Sequence, residues 1–192
     1  MLGCHFVWHY FPLFLTFEKK DTNTTKLVIL AVMIALSVAG RFLFSFIPHF
    51  KPVTAMVVIT GIYMGYEYGF ICGAFTALIS NFIFGQGPWT PFQMFAWGLI
   101  GLLAGLLAKV LQKNIIILLV FGALAGVLFS FLMDVWTTFW YDGTFNFSRF
   151  IANIVTAIPV TITYAISNVV FLFVLIKPIG KKLERIKIKY GL

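Results

Sequence analysis

Long apolar runs, separated by short polar or basic connections, constrain this chain more than any other feature. The 192 residues are 61% hydrophobic and only 10% charged. Runs of about 20 apolar residues are long enough for an α-helix to cross the hydrocarbon core of a bilayer, where backbone polar groups must be bonded internally. The sequence therefore predicts an all-α membrane protein and excludes a water-soluble enzyme or a secreted domain.

Six membrane-crossing helices fit the spacing of these runs. The stretch 53–84 is interrupted at 65–69 by two glycines around Glu67, which favours two short helices joined by a tight inner turn over one long helix. The predicted spans cover about 27–46, two helices of about 12 to 16 residues within 53–84, and then about 92–108, 114–139 and 150–176.

The basic residues orient this bundle. Lys51 and Arg149 lie in predicted outer connections, Arg41 lies within the first span, and the other eleven of the fourteen Lys and Arg residues lie on the side of the two termini. Lys and Arg near the ends of spans are retained in the cytoplasm. We therefore expect a six-helix membrane domain over 24–192, with both termini cytoplasmic and a basic carboxyl-terminal tail.

The first 17 residues are apolar and aromatic but too short to cross the bilayer comfortably. They also lack the basic start and the small-residue cleavage site of a secretory signal peptide. We interpret 1–23 as an interfacial and cytoplasmic segment. Two alternatives stay open: an upstream extension from an early start codon, and an additional crossing that would place the amino terminus outside.

No pattern typical of catalysis or of metal binding is present. The chain lacks a His-Glu-x-x-His motif, a Gly-x-Ser-x-Gly motif and a phosphate-binding glycine loop. Cys4 and Cys72 lie in apolar stretches without metal-ligand spacing, and His5, His9 and His49 are isolated. We predict no catalytic residue, no metal site and no cofactor.

Alanines recur at every fourth position in the first predicted helix. Ala31, Ala35 and Ala39 therefore share one helix face, and such small faces allow a second helix to approach closely in lipid. The partner is either another helix of the same bundle or a separate protein. A similar face on the fourth helix carries Gly101, Ala104, Gly105 and Ala108, so the pattern alone does not decide between them.

Arg41 and Asp134 fall inside predicted spans. Ionisable residues within a bilayer face protein or water rather than lipid. Arg41 lies about 15 residues, or about 22 Å at 1.5 Å per residue, beyond the cytoplasmic end of its helix, and Asp134 lies about 20 residues past the start of its own, so both fall in the outer half of the membrane. We expect the two to form an ion pair, either at the base of an outward-facing pocket or as a purely structural link between helices.

Aromatic rings and amide groups gather at the same predicted depth. This mixture suits an organic ligand, because small-molecule pockets are mostly apolar with a few orienting polar groups. Trp and Tyr also anchor helices at membrane interfaces, so an interfacial anchor is the alternative role for each of these rings. The candidate substrate-binding residues are Arg41, Asn81, Trp89, Phe92, Gln93, Trp97, Asp134, Trp140 and Asn153.

Over about residues 24–185 the sequence resembles the substrate-binding S components of energy-coupling factor (ECF) vitamin transporters. The likeness is carried by the six short-to-medium helices, the basic tail and the alanine pattern. It implies a multi-pass protein of the bacterial cell membrane that works with an ECF module of a transmembrane coupling subunit and two ATPase subunits. The resemblance also implies that Ala31, Ala35 and Ala39 dock against the coupling subunit.

The segment Gly-Pro-Trp-Thr-Pro-Phe-Gln-Met-Phe-Ala-Trp-Gly at 87–98 resembles a subgroup associated with cobalamin or related corrinoids. We therefore expect a corrinoid as the transported vitamin. The alternatives are riboflavin, folate, pantothenate or a queuosine precursor on the same scaffold. A free-standing transporter and a membrane enzyme or scaffold are the competing functions from outside this family.

Overall fold

The computed structural model describes residues 24–191, which form helices and no strand. The interpretation of 1–23 as an interfacial segment lies outside the described residues. The helices are α1 (Thr24–Leu43), α2 (Val53–Met64), α3 (Tyr66–Phe84), α4 (Thr90–Leu106), the short α5 (Ala108–Leu111), α6 (Ile115–Asp142) and α7 (Phe147–Tyr190).

The prediction of an all-helical membrane protein is confirmed. Helices α1, α3, α6 and α7 are long and apolar enough to cross a bilayer, whereas α2 and α4 are shorter apolar helices of 12 and 17 residues. The predicted break between the second and third helices falls at Gly65, whose φ of 109° disfavours any residue with a side chain. Six crossings and cytoplasmic termini stay predictions.

Two helix ends differ from the expected ones. Helix α6 continues beyond the expected end at about 139 to Asp142, because the residue that ends it is Gly143 in the left-handed conformation. Helix α7 continues without a break from Phe147 through the basic tail to Tyr190. Its 44 residues span about 66 Å at 1.5 Å per residue, about twice the thickness of a bilayer core.

The basic end of α7 packs back onto α2. The Lys187 ammonium donates to the Tyr63 carbonyl oxygen at 2.7 Å, and the Gln112 amide donates to the Ile62 carbonyl oxygen at 3.1 Å. Both acceptors belong to the last turn of α2, where carbonyl groups lack partners within the helix. The tail is therefore part of the fold as well as a carrier of positive charge.

Helix α2 is the centre of the bundle. All ten residues from Val53 to Ile62 are buried, and α2 contacts α1, α3, α4 and α7. An apolar helix without a polar face is stable only when neighbours surround it. Helices α1 and α7 contribute much smaller buried shares and lie at the periphery.

Glycines bring α3 and α4 into backbone contact. A Cβ atom on Gly69 would lie 2.4 Å from the Gly101 carbonyl oxygen, and one on Gly101 would lie 2.2 Å from the Gly69 carbonyl oxygen. Gly105 similarly meets the backbone of Tyr66. The small face of α4 is therefore used within the bundle, which is how helices pack closely in lipid.

Candidate ligand-binding site

A cavity of about 60 Å³ lies where the connection between α1 and α2, residues 44–52, meets α4, α6 and α7. Its lining combines basic, amide and phenol groups with aromatic rings. The polar lining residues are Arg41, His49, Lys51, Gln93, Tyr164 and Asn168. The cavity is thus built from chain segments more than 100 residues apart.

Arg41, in the last turn of α1, reaches across to α3. Its Nη1 atom donates to the Ser80 hydroxyl and, at 2.8 Å, to Asn81 Oδ1. The guanidinium carbon lies 4.7 Å from the ring centroid of Phe84 and 5.2 Å from that of Trp97. Ring faces attract cations, so Arg41 is held by two neutral polar groups and two rings.

Asn81 connects three helices through its side-chain amide. Its oxygen accepts from Arg41, and its nitrogen donates to Thr90 Oγ1 at 3.0 Å and to Gln93 Oε1 at 2.8 Å. Thr90 in turn donates to Gln86 Oε1 at 3.0 Å. Because the Gln93 oxygen is occupied, its amide N–H groups are the ones available to a partner in the cavity.

Aromatic rings from α4, α6 and α7 form another part of the lining. Trp97 of α4 lies parallel to Phe129 of α6, with centroids 5.1 Å apart and an interplanar angle of 17°. Phe129 meets Tyr164 of α7 edge to face at 5.3 Å. Gly126 allows this approach, since a Cβ atom there would lie 2.8 Å from the Ala165 nitrogen. The rings form an apolar stack that carries the Tyr164 hydroxyl at one edge.

The connection 44–52 is fastened to α7. The Lys51 N–H donates to Ser167 Oγ at 2.9 Å, and the same hydroxyl donates to the Lys51 carbonyl oxygen at 3.1 Å. His49 Nδ1 lies 3.2 Å from Tyr164 Oη. His49 itself adopts a φ of 60°, a left-handed conformation that His tolerates better than most residues. These contacts close the cavity on one side.

Positive charge dominates the cavity. Among the described residues that line it, none is acidic. Burial, and then the positive charge of Arg41, lowers the pKa of Lys51 below its usual value. Burial, and then Lys51, lowers the pKa of His49. The shifts have the sign expected when like charges share a partly desolvated space.

The predicted Arg41–Asp134 ion pair is wrong. Arg41 bonds to Ser80 and Asn81, because α1 packs against α2 and α3, whereas Asp134 lies on α6. The carboxylate is therefore not what neutralises the guanidinium.

The predicted site residues divide into two groups. Arg41, Gln93 and Trp97 line the cavity, and Asn81 supports them. A second aromatic cluster lies apart from that lining: Trp136 meets Trp89 and Phe92 at 6.4 Å and stacks on Trp140 at 5.8 Å. Asp134 and Asn153 are also absent from the lining, and the Asn153 amide donates to Thr138 Oγ1 at 3.1 Å.

Sequence reasoning missed the part of the lining that comes from the loop, from the start of α2 and from α6 and α7. One signal was present: Lys51 is a basic residue in a predicted outer connection, where the charge rule disfavours it. Tyr164 and Asn168 are spaced i, i+4 and so share one face of α7, but nothing in the sequence indicates that this face meets the loop. The missed residues are His49, Lys51, Val53, Thr54, Gly126, Phe129, Tyr164 and Asn168.

The alanine face of α1 lines a different surface feature. Ala31, Ala35 and Ala39 are exposed and form one side of an apolar groove of about 620 Å³. Phe75, Ile79 and Ile83 of α3 contribute to the other side. The small residues of α4, such as Gly101 and Gly105, pack against α3 inside the bundle, whereas the three alanines of α1 are exposed on the surface of the described bundle.

A family model described as "ECF-type riboflavin transporter, S component" matches residues 21–185. No curated protein and no solved structure matches the chain. The matched range includes the cavity, the alanine face and most of α7, and its description names riboflavin where the segment 87–98 had indicated a corrinoid.

Proposed function

Because the chain belongs to the family of ECF-type riboflavin transporter S components, we propose that it binds a flavin at the cavity beneath residues 44–52. The observation that carries this proposal is the pairing of an aromatic stack, Trp97 and Phe129, with amide and hydroxyl groups around one cavity. A flavin offers a planar ring system with polar edges, and such a ligand needs both kinds of group.

Binding requires the cavity to enlarge. Pockets for molecules of vitamin size typically measure about 300–1,000 Å³, whereas this cavity holds about 60 Å³. Residues 44–52 are the part of its lining that belongs to no helix, so they can move without displacing a helix once their contacts with α7 break. We propose that this connection moves away from α7 to admit the ligand.

A corrinoid is the second candidate ligand, and the segment 87–98 is the observation that favours it. That segment supplies Gln93 and Trp97 to the cavity but directs Trp89 and Phe92 to the separate aromatic cluster. The family match favours the flavin. A macrocycle would also demand a much larger rearrangement than a flat three-ring system.

Titration of the purified protein distinguishes the two ligands. We expect riboflavin fluorescence to be quenched on binding, because the ring system stacks near Trp97, and we expect no absorbance change with cyanocobalamin. Replacing Trp97 by Ala should weaken riboflavin binding about tenfold or more, as loss of one aromatic stacking partner does. The matched control is Trp140→Ala, in the exposed second cluster.

Two results would count against this proposal. Corrinoid binding without flavin binding would show that the ligand is a corrinoid. An equal loss of flavin affinity in both tryptophan variants would show that the second cluster also contributes to the binding site. Flavin uptake by cells that lack an ECF module would instead support a free-standing transporter.

We also propose that the groove bearing Ala31, Ala35 and Ala39 docks against the transmembrane coupling subunit of an ECF module. Its polar surface is negligible, and its small residues permit a partner helix to approach the α1 backbone closely. ATP hydrolysis would then belong to the partner ATPase subunits, and the protein would act in the bacterial cell membrane.

A further inference from the structure

Two cations of the cavity lie against one ring. The Arg41 guanidinium carbon is 4.7 Å from the Phe84 centroid and the Lys51 ammonium is 5.1 Å from it, which places the two charges within about 10 Å of each other. His49 lines the same cavity, two positions before Lys51. Three basic side chains therefore converge on a space of about 60 Å³.

These charges are not neutralised by the cavity itself. The partners of Arg41 are the neutral Ser80 and Asn81 together with aromatic rings. Asp134 does not line the cavity, and the described residues form no ion pair between it and either cation. Concentrating like charges where water is partly excluded is unfavourable unless an anion completes the arrangement.

We propose that the ligand of this site carries an acidic group, a carboxylate or a phosphate, that binds between Arg41 and Lys51. The inference rests on the proposed function, and it narrows the ligand from flavins in general to flavins with a charged substituent. Trp97 and Phe129 would hold the ring system while the two cations hold the anion. Hydrogen bonds from charged donors to anions are stronger than those between neutral groups.

Lys51 is the better residue for a test, since Arg41 also fixes α1 to α3. Both backbone groups of Lys51 bond to Ser167, so the loop keeps its attachment to α7 when the side chain is changed. Lys51→Gln removes the charge, Lys51→Arg retains it, and Lys113→Gln removes an equal charge from an exposed position outside the cavity lining.

The measurement is the dissociation constant of the purified protein for three flavins. Riboflavin is neutral, flavin mononucleotide carries a phosphate, and 10-carboxymethylflavin carries a carboxylate. We expect at least one charged flavin to bind about tenfold tighter than riboflavin, the size of one charge-assisted hydrogen bond. Lys51→Gln should lower that preference about tenfold, while Lys51→Arg and Lys113→Gln should keep most of it. Which charged flavin binds tighter identifies the anion as phosphate or carboxylate.

Three results would overturn the inference. Riboflavin binding as tightly as both charged flavins would do so while leaving the proposed function intact. An equal effect of Lys51→Gln and Lys113→Gln would show that general surface charge, not this site, sets the preference. Failure of all three flavins to bind would remove both the inference and the proposed function.

Discussion

Asn81 is the residue on which the polar side of the site depends most. Its amide joins Arg41, Thr90 and Gln93, and its side chain is almost fully buried. Removing it leaves polar groups on two other helices, α1 and α4, without this partner. Such groups destabilise a fold by about 1–3 kcal/mol when left unsatisfied.

We therefore predict that Asn81→Ala lowers both thermal stability and flavin affinity, with a loss of about 2 kcal/mol in the free energy of unfolding. Thermal unfolding in detergent, with and without riboflavin, measures both effects. Asn153→Ala is the matched control, because that amide donates to Thr138 outside the cavity lining. Equal losses of stability and of flavin affinity in the two variants would show that the hydrogen bonds of Asn81 contribute no more to the site than those of Asn153.

His49 should make the closure of the loop sensitive to pH. Burial and Lys51 hold its pKa below the ordinary value of 6.5, so the closed loop disfavours the protonated ring. When the pH falls below about 6.5, the free ring takes up a proton first, and the closed form loses stability relative to the open form. Above that pH the ring is neutral in both forms and the effect disappears.

Hydrogen exchange at the Lys51 amide reports this change, because that N–H is protected by Ser167 when the loop is closed. We predict that protection decreases between pH 7.5 and 5.5 more in the unaltered protein than in His49→Gln. Comparing the two proteins at each pH cancels the intrinsic dependence of exchange. Identical profiles would mean that His49 does not control the loop.

At the scale of single residues, the sequence reveals those whose chemistry is unusual for their place. Arg41 and Asn81 could be recognised because polar groups inside a predicted span need partners. Tyr164 and Asn168 could not, since a phenol and an amide on an otherwise apolar helix look like ordinary surface residues. Their role depends on the loop at 44–52, more than 100 positions away, folding against α7.

At the scale of helices, contact between glycine backbones holds α3 to α4. A Cβ atom at position 101 would lie 2.2 Å from the Gly69 carbonyl oxygen, which cannot move without displacing the helix. Gly122 offers a matched comparison, because a Cβ atom there would first meet the end of the flexible Leu172 side chain at 2.4 Å. Both positions lie in apolar helices, so they differ mainly in the group that a new Cβ atom would meet.

We predict that Gly101→Ala destabilises the protein by about 1–3 kcal/mol, the usual range for overpacking, and that Gly122→Ala has a smaller effect. Unfolding in mild detergent with increasing SDS gives the two free energies. A larger effect at Gly122 would contradict the assignment of the α3–α4 contact.

The helices were the most predictable part of the fold because lipid leaves little choice of secondary structure. The glycine turn at 65–69 correctly divided α2 from α3. The lengths of α6 and α7 were harder to predict, because aromatic residues near 140 and charged residues beyond 176 are compatible with either helix or loop. Their ends are set by Gly143 and Gly191 in left-handed conformations.

At the scale of the whole molecule, α1 takes part in both proposed activities. Arg41 near its carboxyl end lines the cavity, while Ala31, Ala35 and Ala39 lie on its exposed face. Among the described helices it packs to an appreciable extent only against α2 and α3, and its buried share is the smallest of the four long helices. A partner bound at the groove would therefore contact the same helix that holds a ligand-binding residue.

Separating these two roles requires a change in the groove that leaves the cavity untouched. Ala35→Trp fills the centre of the groove with a large ring, which would keep a partner helix from approaching the α1 backbone. We predict that it abolishes ECF-dependent flavin uptake while the purified variant binds riboflavin with unchanged affinity. Leu36→Trp is the control, since Leu36 is equally on the exposed side of α1 but does not line the groove. Normal uptake by Ala35→Trp, or equal loss in both variants, would show that α1 does not dock through its alanine face.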